Sequence, residues 1–222
     1  RPDRTEKEVA KLLQSYPEAE RQKVESITMD MWSAFKTMAE KNLENALIIH
    51  DRYHIASHMG KALETTRRAE QNSMKEDEKK SLKGMRFCLL RSIDNRTEKD
   101  FTKLIGFESG NLDTARVFMM KEMLRELYEL PLTAMEAQKE FTAWIALARE
   151  QAIAGLTRVA KTIENHLEGI CNYFHNRLTN AIAETKNGFI QELKTRARGF
   201  MNWGRYRINI LFHFGKLDLD PQ

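Results

Sequence analysis

The chain has 222 residues, 41% of them hydrophobic and 31% charged, which is enough for one sizeable domain or two small ones with a real core. Its charges nearly balance at +4, with an isoelectric point near 9, a mild pointer to an acidic partner. Cys88 and Cys171 lack neighbours at metal-ligand spacing and form no disulfide framework, and no stretch approaches the roughly 18 apolar residues that span a bilayer, so disulfide-stapled and membrane-spanning classes are excluded.

The opening "RPDRTEKE" has no apolar h-region, and with two free thiols the chain reads as soluble and cytoplasmic. Residues 1 to 23 form a polar helical stretch. "KVESITMD" then alternates and is rich in β-branched residues, "MWSAFKTMAEKNLE" has helical spacing, and "ALIIHD" is a short unbroken apolar run. Together they predict a β-α-β unit, whose crossover of about 15 residues suits two parallel strands. The second strand is expected to be buried on both faces.

From there helix dominates, since only 4 Pro and 10 Gly interrupt the whole chain. Val117, Met120, Leu124, Leu127 and Tyr128 form one apolar stripe, closed by Pro131, and Met135, Phe141, Trp144, Ile145 and Ala148 form another. Both read as core packing. Leu178, Ile182, Ile190, Leu193 and Ala197 keep helical spacing with an interruption near Asn187 and Gly188. This last part is the basic end: from Arg177 to Lys216 eight Lys and Arg face only Glu184 and Glu192.

Candidate chemistry collects where the strands end. In open α/β sheets ligands bind beyond the carboxyl ends of the strands, and Asp30 and Asp51 are expected on the same sheet edge. Asp30 reads as a helix N-cap or a metal ligand, and Asp51 with His54 as a cap with a first-turn partner or as part of a polar site. His50, His54 and His58 repeat every four residues, which on one continuous helix would suit zinc, but His50 belongs to the strand. Glu184, on a turn shared with Asn180 and Asn187 within a basic face, suits a site holding a metal ion beside phosphate. Two strands alone leave most of a sheet missing, so a segment before Arg1 is expected to complete it.

"TMDMW", "ALIIHDRYHI", a long helical segment and "RLTNAIAETKNGFIQELKTRARGF" together resemble the C-terminal two thirds of a bacterial insertion-sequence transposase of the ISL-three type, over residues 22 to 214. The resemblance implies a DDE enzyme: a mainly α chain with a small parallel β-α-β remnant, an incomplete ribonuclease-H-like α/β core with a large helical insertion. On this reading residues 1–55 are the partial core, 56–170 the insertion, and 171–222 the returning core helices with the basic end. Asp30 matches the family's second catalytic aspartate and Glu184 its glutamate, while Asp51 and His54 match an auxiliary D-x-x-H. Where the family has Glu-Gly-x-Asn, this chain has Glu184-Thr185-Lys186-Asn187 without the glycine.

The resemblance further implies two Mg²⁺ or Mn²⁺ ions at the acidic residues, cleavage and joining of DNA strands at insertion-sequence ends and target, and a homodimer or higher synaptic oligomer when complete. Lys186, Lys194, Arg196, Arg198, Arg205 and Arg207 would contact the DNA backbone. The family's first aspartate has no match in residues 1 to 23, so the chain alone is expected to neither cut nor join DNA. The reading from another class is a non-enzymatic helical nucleic-acid-binding or scaffold module, with Asp30 a cap and Glu184 a surface charge.

Overall fold

The computed structural model of the chain describes residues 6–75, 79–108, 112–177, 181–196 and 202–214. Contacts divide it into two compact units, Arg1–Leu178 and Thr179–Gln222. The first unit begins with helices α1 (Glu6–Gln14) and α2 (Glu18–Arg21), strand β1 (Ser26–Met29), helix α3 (Ser33–Asn42) and strand β2 (Leu47–His50). There follow α4 (Arg52–Ser73), α5 (Lys79–Leu82), α6 (Arg86–Leu90), a 3-10 turn (Ile93–Asn95), α7 (Glu98–Glu108) and α8 (Asp113–Glu129). Helices α9 (Ala134–Glu150), α10 (Ala154–Asn165), α11 (Leu167–Cys171) and α12 (Tyr173–Asn176) complete it.

The β-α-β unit forms as its periodicity predicts. Strands β1 and β2 pair in parallel, with Ser26 opposite Leu47 and Met29 opposite His50. Burial corrects one expectation. Ile49 and His50 are buried, but Leu47 and Ile48 keep partial exposure, so β2 is covered only toward its carboxyl end. The helical layer reaches just that end, because α11 packs on β2 and Asn172 Nδ2 donates to the Ile48 carbonyl at 2.9 Å.

The core lies among α4, α8, α9 and α10, which pack pairwise. Helix α4 contributes Ile55, Met59 and Leu63, α8 Val117, Phe118 and Leu124, α9 Phe141 and Trp144, and α10 Leu156 and Ile163. Gly155 permits the close approach of α10 to α4, since a Cβ there would lie 3.2 Å from that of Ala62. Tyr128, Phe141, Tyr173 and Phe174 stack edge-on or parallel where α8, α9 and α12 meet. Trp144 satisfies its indole by donating to the Met120 carbonyl at 3.0 Å.

Both predicted apolar stripes are therefore core, with one exception. Met135 is 71% exposed. The buried face of α9 runs through Ala137, Phe141, Trp144, Ile145 and Ala148, and a residue two places before Ala137 turns about 200° away from it. Cys88 and Cys171 are free and buried, and burial pushes the Cys171 thiol up to about 11. No helix among the described residues is long and apolar enough to cross a membrane.

Helix ends and ion pairs tie distant parts of this unit together. Glu70, near the end of α4, accepts from the backbone N–H groups of Asp113 and Thr114 and from the Thr114 hydroxyl, so a carboxylate of one helix caps the positive end of another. Thr133 and Glu136 form a reciprocal capping box at the start of α9. Glu64 faces Arg67 at 2.9 Å, Arg68 at 2.7 Å and Arg86 at 3.5 Å. The second unit contains α13 (Ala181–Arg196) and α14 (Trp203–Phe214). Helix α13 runs unbroken through Asn187 and Gly188, where the apolar spacing is interrupted.

Hydrogen bonds from Arg67 and then Arg68 hold the Glu64 carboxyl down to about 2. Asp100 is likewise lowered to about 2, by the Thr97 backbone first and then by the Thr97 hydroxyl and Arg91. A carboxyl depressed on folding stabilises the protein above its ordinary range, and that stability is lost as pH falls through the folded value. Denaturant midpoints measured against pH should thus hold steady down to about 4.5 and drop toward pH 2. Glu64→Gln should lower the midpoint at neutral pH and flatten that acid limb.

Candidate functional site

Each strand of the pair ends one residue before an aspartate. Register places Met29 beside His50, and the Asp51 backbone N–H donates to the Met29 carbonyl at 3.0 Å, so Asp30 and Asp51 leave the sheet at the same edge. Asp51 is the N-cap of α4, its Oδ1 accepting from the Tyr53 N–H at 3.0 Å. Asp30 is not a cap in the same sense. The N-cap of α3 is Trp32, and Asp30 Oδ1 accepts the Trp32 N–H at 3.2 Å in a local turn.

Asp51 is buried and Asp30 half-buried. Neither has an ion-pair partner among the described residues; Arg52, beside Asp51, turns instead to Glu129 of α8 at 3.1 Å. His54 follows in the first turn of α4, half-buried, with its ring edge-on to Tyr53. His50, His54 and His58 do not converge: His50 is buried in the strand and His58 exposed on the helix. No group of three His, Cys, Asp or Glu among the described residues is placed to hold a metal ion.

Glu184 and Lys186 lie on α13, with side chains outside the described residues, and Arg198 lies outside them altogether. Lys194 and Arg196 are exposed near the end of α13, Arg196 paired with Glu192 at 2.7 Å. Arg205 and Arg207 are exposed on α14. Two places apart on a helix, they point to nearly opposite sides.

Behind the strand ends lies a feature that local sequence reading did not find. His166, at the junction of α10 and α11, places Nδ1 3.0 Å from the Thr162 carbonyl and Nε2 3.0 Å from the Met31 carbonyl, in the loop that carries Asp30. Its ring meets His50 edge-on at 5.0 Å. Burial first, then the charge of His166 and Lys36, lowers His50 to about 4, so His50 is neutral at physiological pH. Gly169 makes room for it: a Cβ there would stand 2.4 Å from His50 Cδ2 and 2.9 Å from Nε2. The one signal available was negative, an unassigned His between two helices, 135 residues from Met31 in the chain.

Residues 1–210 match a protein family described as Transposase, of the ISL-three type. The chain belongs to the ISL-three transposase family. The match reaches back to the first residue, so the polar α1 and α2 are part of the family region and not a flank to it. This family member is 24% identical over 204 residues to the transposase for insertion sequence element IS1001 of Bordetella parapertussis, covering 90% of this chain and 50% of that one. It is 26% identical over 119 residues to the transposase for insertion sequence element IS1557 of Mycobacterium tuberculosis, covering 54% of this chain and 26% of that one. The chain thus spans half the length of the first relative and about a quarter of the second. No solved structure gives a significant match.

The packing of His50 generates a prediction for this transposase-family site. Gly169→Ala should push the buried His50 ring from its place and destabilise the first unit by about 1–3 kcal/mol. The check is the shift in denaturant midpoint, which should shrink in the double variant with His50→Ala.

Proposed function

We propose that this chain is part of the catalytic region of a DDE transposase that cuts and joins DNA at insertion-sequence ends. The observation that carries the reading is the pair of carboxylates, Asp30 and Asp51, at one edge of a registered parallel pair inside a family-matched chain. The sheet is then a portion of a ribonuclease-H-like core, residues 56–170 the helical insertion, and 171–222 the return carrying Glu184. Assembly of the complete protein as a homodimer or higher synaptic complex, and work in the cytoplasm, belong to the same proposal.

The donor set fits a divalent metal in kind. Asp30 offers hard carboxylate oxygens with no ion-pair partner among the described residues, the ligand type that Mg²⁺ and Mn²⁺ prefer. Asp30 and Glu184 are the proposed ligands, and Asp51 with His54 the auxiliary pair. The chemistry supplied by bound Mg²⁺ or Mn²⁺ is activation of water or a 3′-hydroxyl and stabilisation of the leaving oxygen. Asp51 caps the start of α4 through the Tyr53 N–H, and His166 meets the Asp30 loop at the Met31 carbonyl. Lys186, Lys194, Arg196, Arg198, Arg205 and Arg207 meet the phosphate backbone, which gives salt-dependent, largely sequence-independent affinity.

The mechanism needs three carboxylates, and the family pattern matches two in this chain. The 222-residue chain is therefore proposed to be inactive by itself, and metal-dependent nicking that vanishes in Asp30→Asn would overturn this. Titration with Mn²⁺ followed by electron paramagnetic resonance separates the enzyme reading from a helical scaffold. Asp30→Asn and Glu184→Gln should each weaken Mn²⁺ binding by about tenfold or more, at least the loss that outer-shell changes cause at metal sites. Unchanged affinity in both would favour the scaffold.

A further inference from the structure

Each carboxylate of the strand ends is followed by an exposed aromatic residue that the proposed metal chemistry does not use. Trp32 stands two residues after Asp30 and Tyr53 two residues after Asp51, so the motif Asp-x-aromatic occurs twice, as "DMW" and "DRY". Both copies are built alike. In each the Asp Oδ1 accepts the backbone N–H of the aromatic residue, at 3.2 Å for Trp32 and 3.0 Å for Tyr53.

Since the strands are parallel and in register up to Met29 and His50, the two turns start from neighbouring positions, about 4.8 Å apart as adjacent strands are. Both rings stand in solvent, Trp32 being 46% and Tyr53 61% exposed. Each is also propped by an aromatic neighbour. Trp32 meets Phe35 edge-on at 4.6 Å, and Tyr53 meets His54 edge-on at 5.8 Å. An edge-on neighbour steadies a ring and leaves a face open for another planar group.

Scattered exposed apolar residues need no explanation, but two indexed to the same pair of carboxylates do. Exposed rings beside a site for phosphate chemistry suit unpaired nucleobases, every one of which has a π-face whatever its identity. We propose that Trp32 and Tyr53 form a stacking site for unpaired bases of single-stranded DNA at the strand ends carrying Asp30 and Asp51. This rests on the transposase reading above. It adds that the DNA is engaged with bases unstacked from the duplex beside the scissile phosphate, a step that favours melted or mismatched ends.

The test uses the 222-residue chain in Mg²⁺ with three fluorescent probes followed by anisotropy: a thymidine oligonucleotide, an abasic backbone of the same length, and a duplex. The thymidine strand should bind more tightly than the abasic one by roughly 5- to 100-fold. Trp32→Ala and Tyr53→Ala should each bring the thymidine strand toward the abasic affinity while leaving duplex binding and its salt dependence nearly unchanged. Trp32→Phe, which keeps a ring, should retain most of the difference. Equal affinity for the thymidine and abasic strands, or an equal loss on all three probes in both alanine variants, overturns the stacking site alone and leaves backbone binding standing. Failure of the parent chain to bind any of the three overturns the stacking site together with the DNA reading.

Discussion

Two four-residue strands cannot bury their own faces, and the site depends on how the helical layer covers the carboxyl end of β2. The cover is a short run at the end of α10 and through α11. There, His50 fills the space left by the missing side chain of Gly169, Asn172 closes the Ile48 carbonyl, and His166 reaches across to Met31. Remove this run and β2 loses the helix that packs on it and the side chain that closes its Ile48 carbonyl. With it, the edge where Asp30 and Asp51 emerge is fixed from behind.

His166 makes that cover more than apolar packing. Both of its ring nitrogens lie 3.0 Å from backbone carbonyls, one in α10 and one in the Asp30 loop. His50, buried alongside, is lowered to about 4, by burial first. One imidazole thus bridges two backbone segments while its neighbour fills the space beside Gly169. The Asp30 loop is held by a residue far along the chain, which explains how a long helical stretch can bear on a site formed by the first fifty residues.

Charge is arranged in two ways in the first unit. Inside the helical layer acids and bases compensate one another: Glu64 with three arginines, and Glu122 with Arg96 and Lys121 at 2.8 and 2.7 Å. At the sheet edge the carboxylates have no ionic partner among the described residues, and their oxygens are met by backbone N–H groups instead. Compensated networks hold helices together, whereas an uncompensated pair of acids on a strand edge stabilises nothing by Coulomb attraction. That contrast sets the edge apart from the helical layer, and the exposed Trp32 and Tyr53 each follow one of its carboxylates by two residues.

Local patterning was enough to read the β-α-β unit, the parallel pairing and the apolar stripes of α8 and α9, because alternation, crossover length and 3.6-residue spacing are written in neighbouring residues. Met135 escaped for the same reason in reverse, since its type suits a stripe whose phase is set by residues further on. The sequence by itself determined that Asp30 and Asp51 share one edge, because parallel strands of equal length carry their following residues to the same side. The local backbone decided between the readings left open for the aspartates, with Asp51 capping α4 and Asp30 not capping α3, while tertiary structure alone decided that β2 is covered only toward His50 and that His166 ties down the Asp30 loop. The cover of β2 and the His166 tie depend on contacts between residues more than a hundred positions apart, and no local periodicity encodes which distant carbonyl a given imidazole will meet.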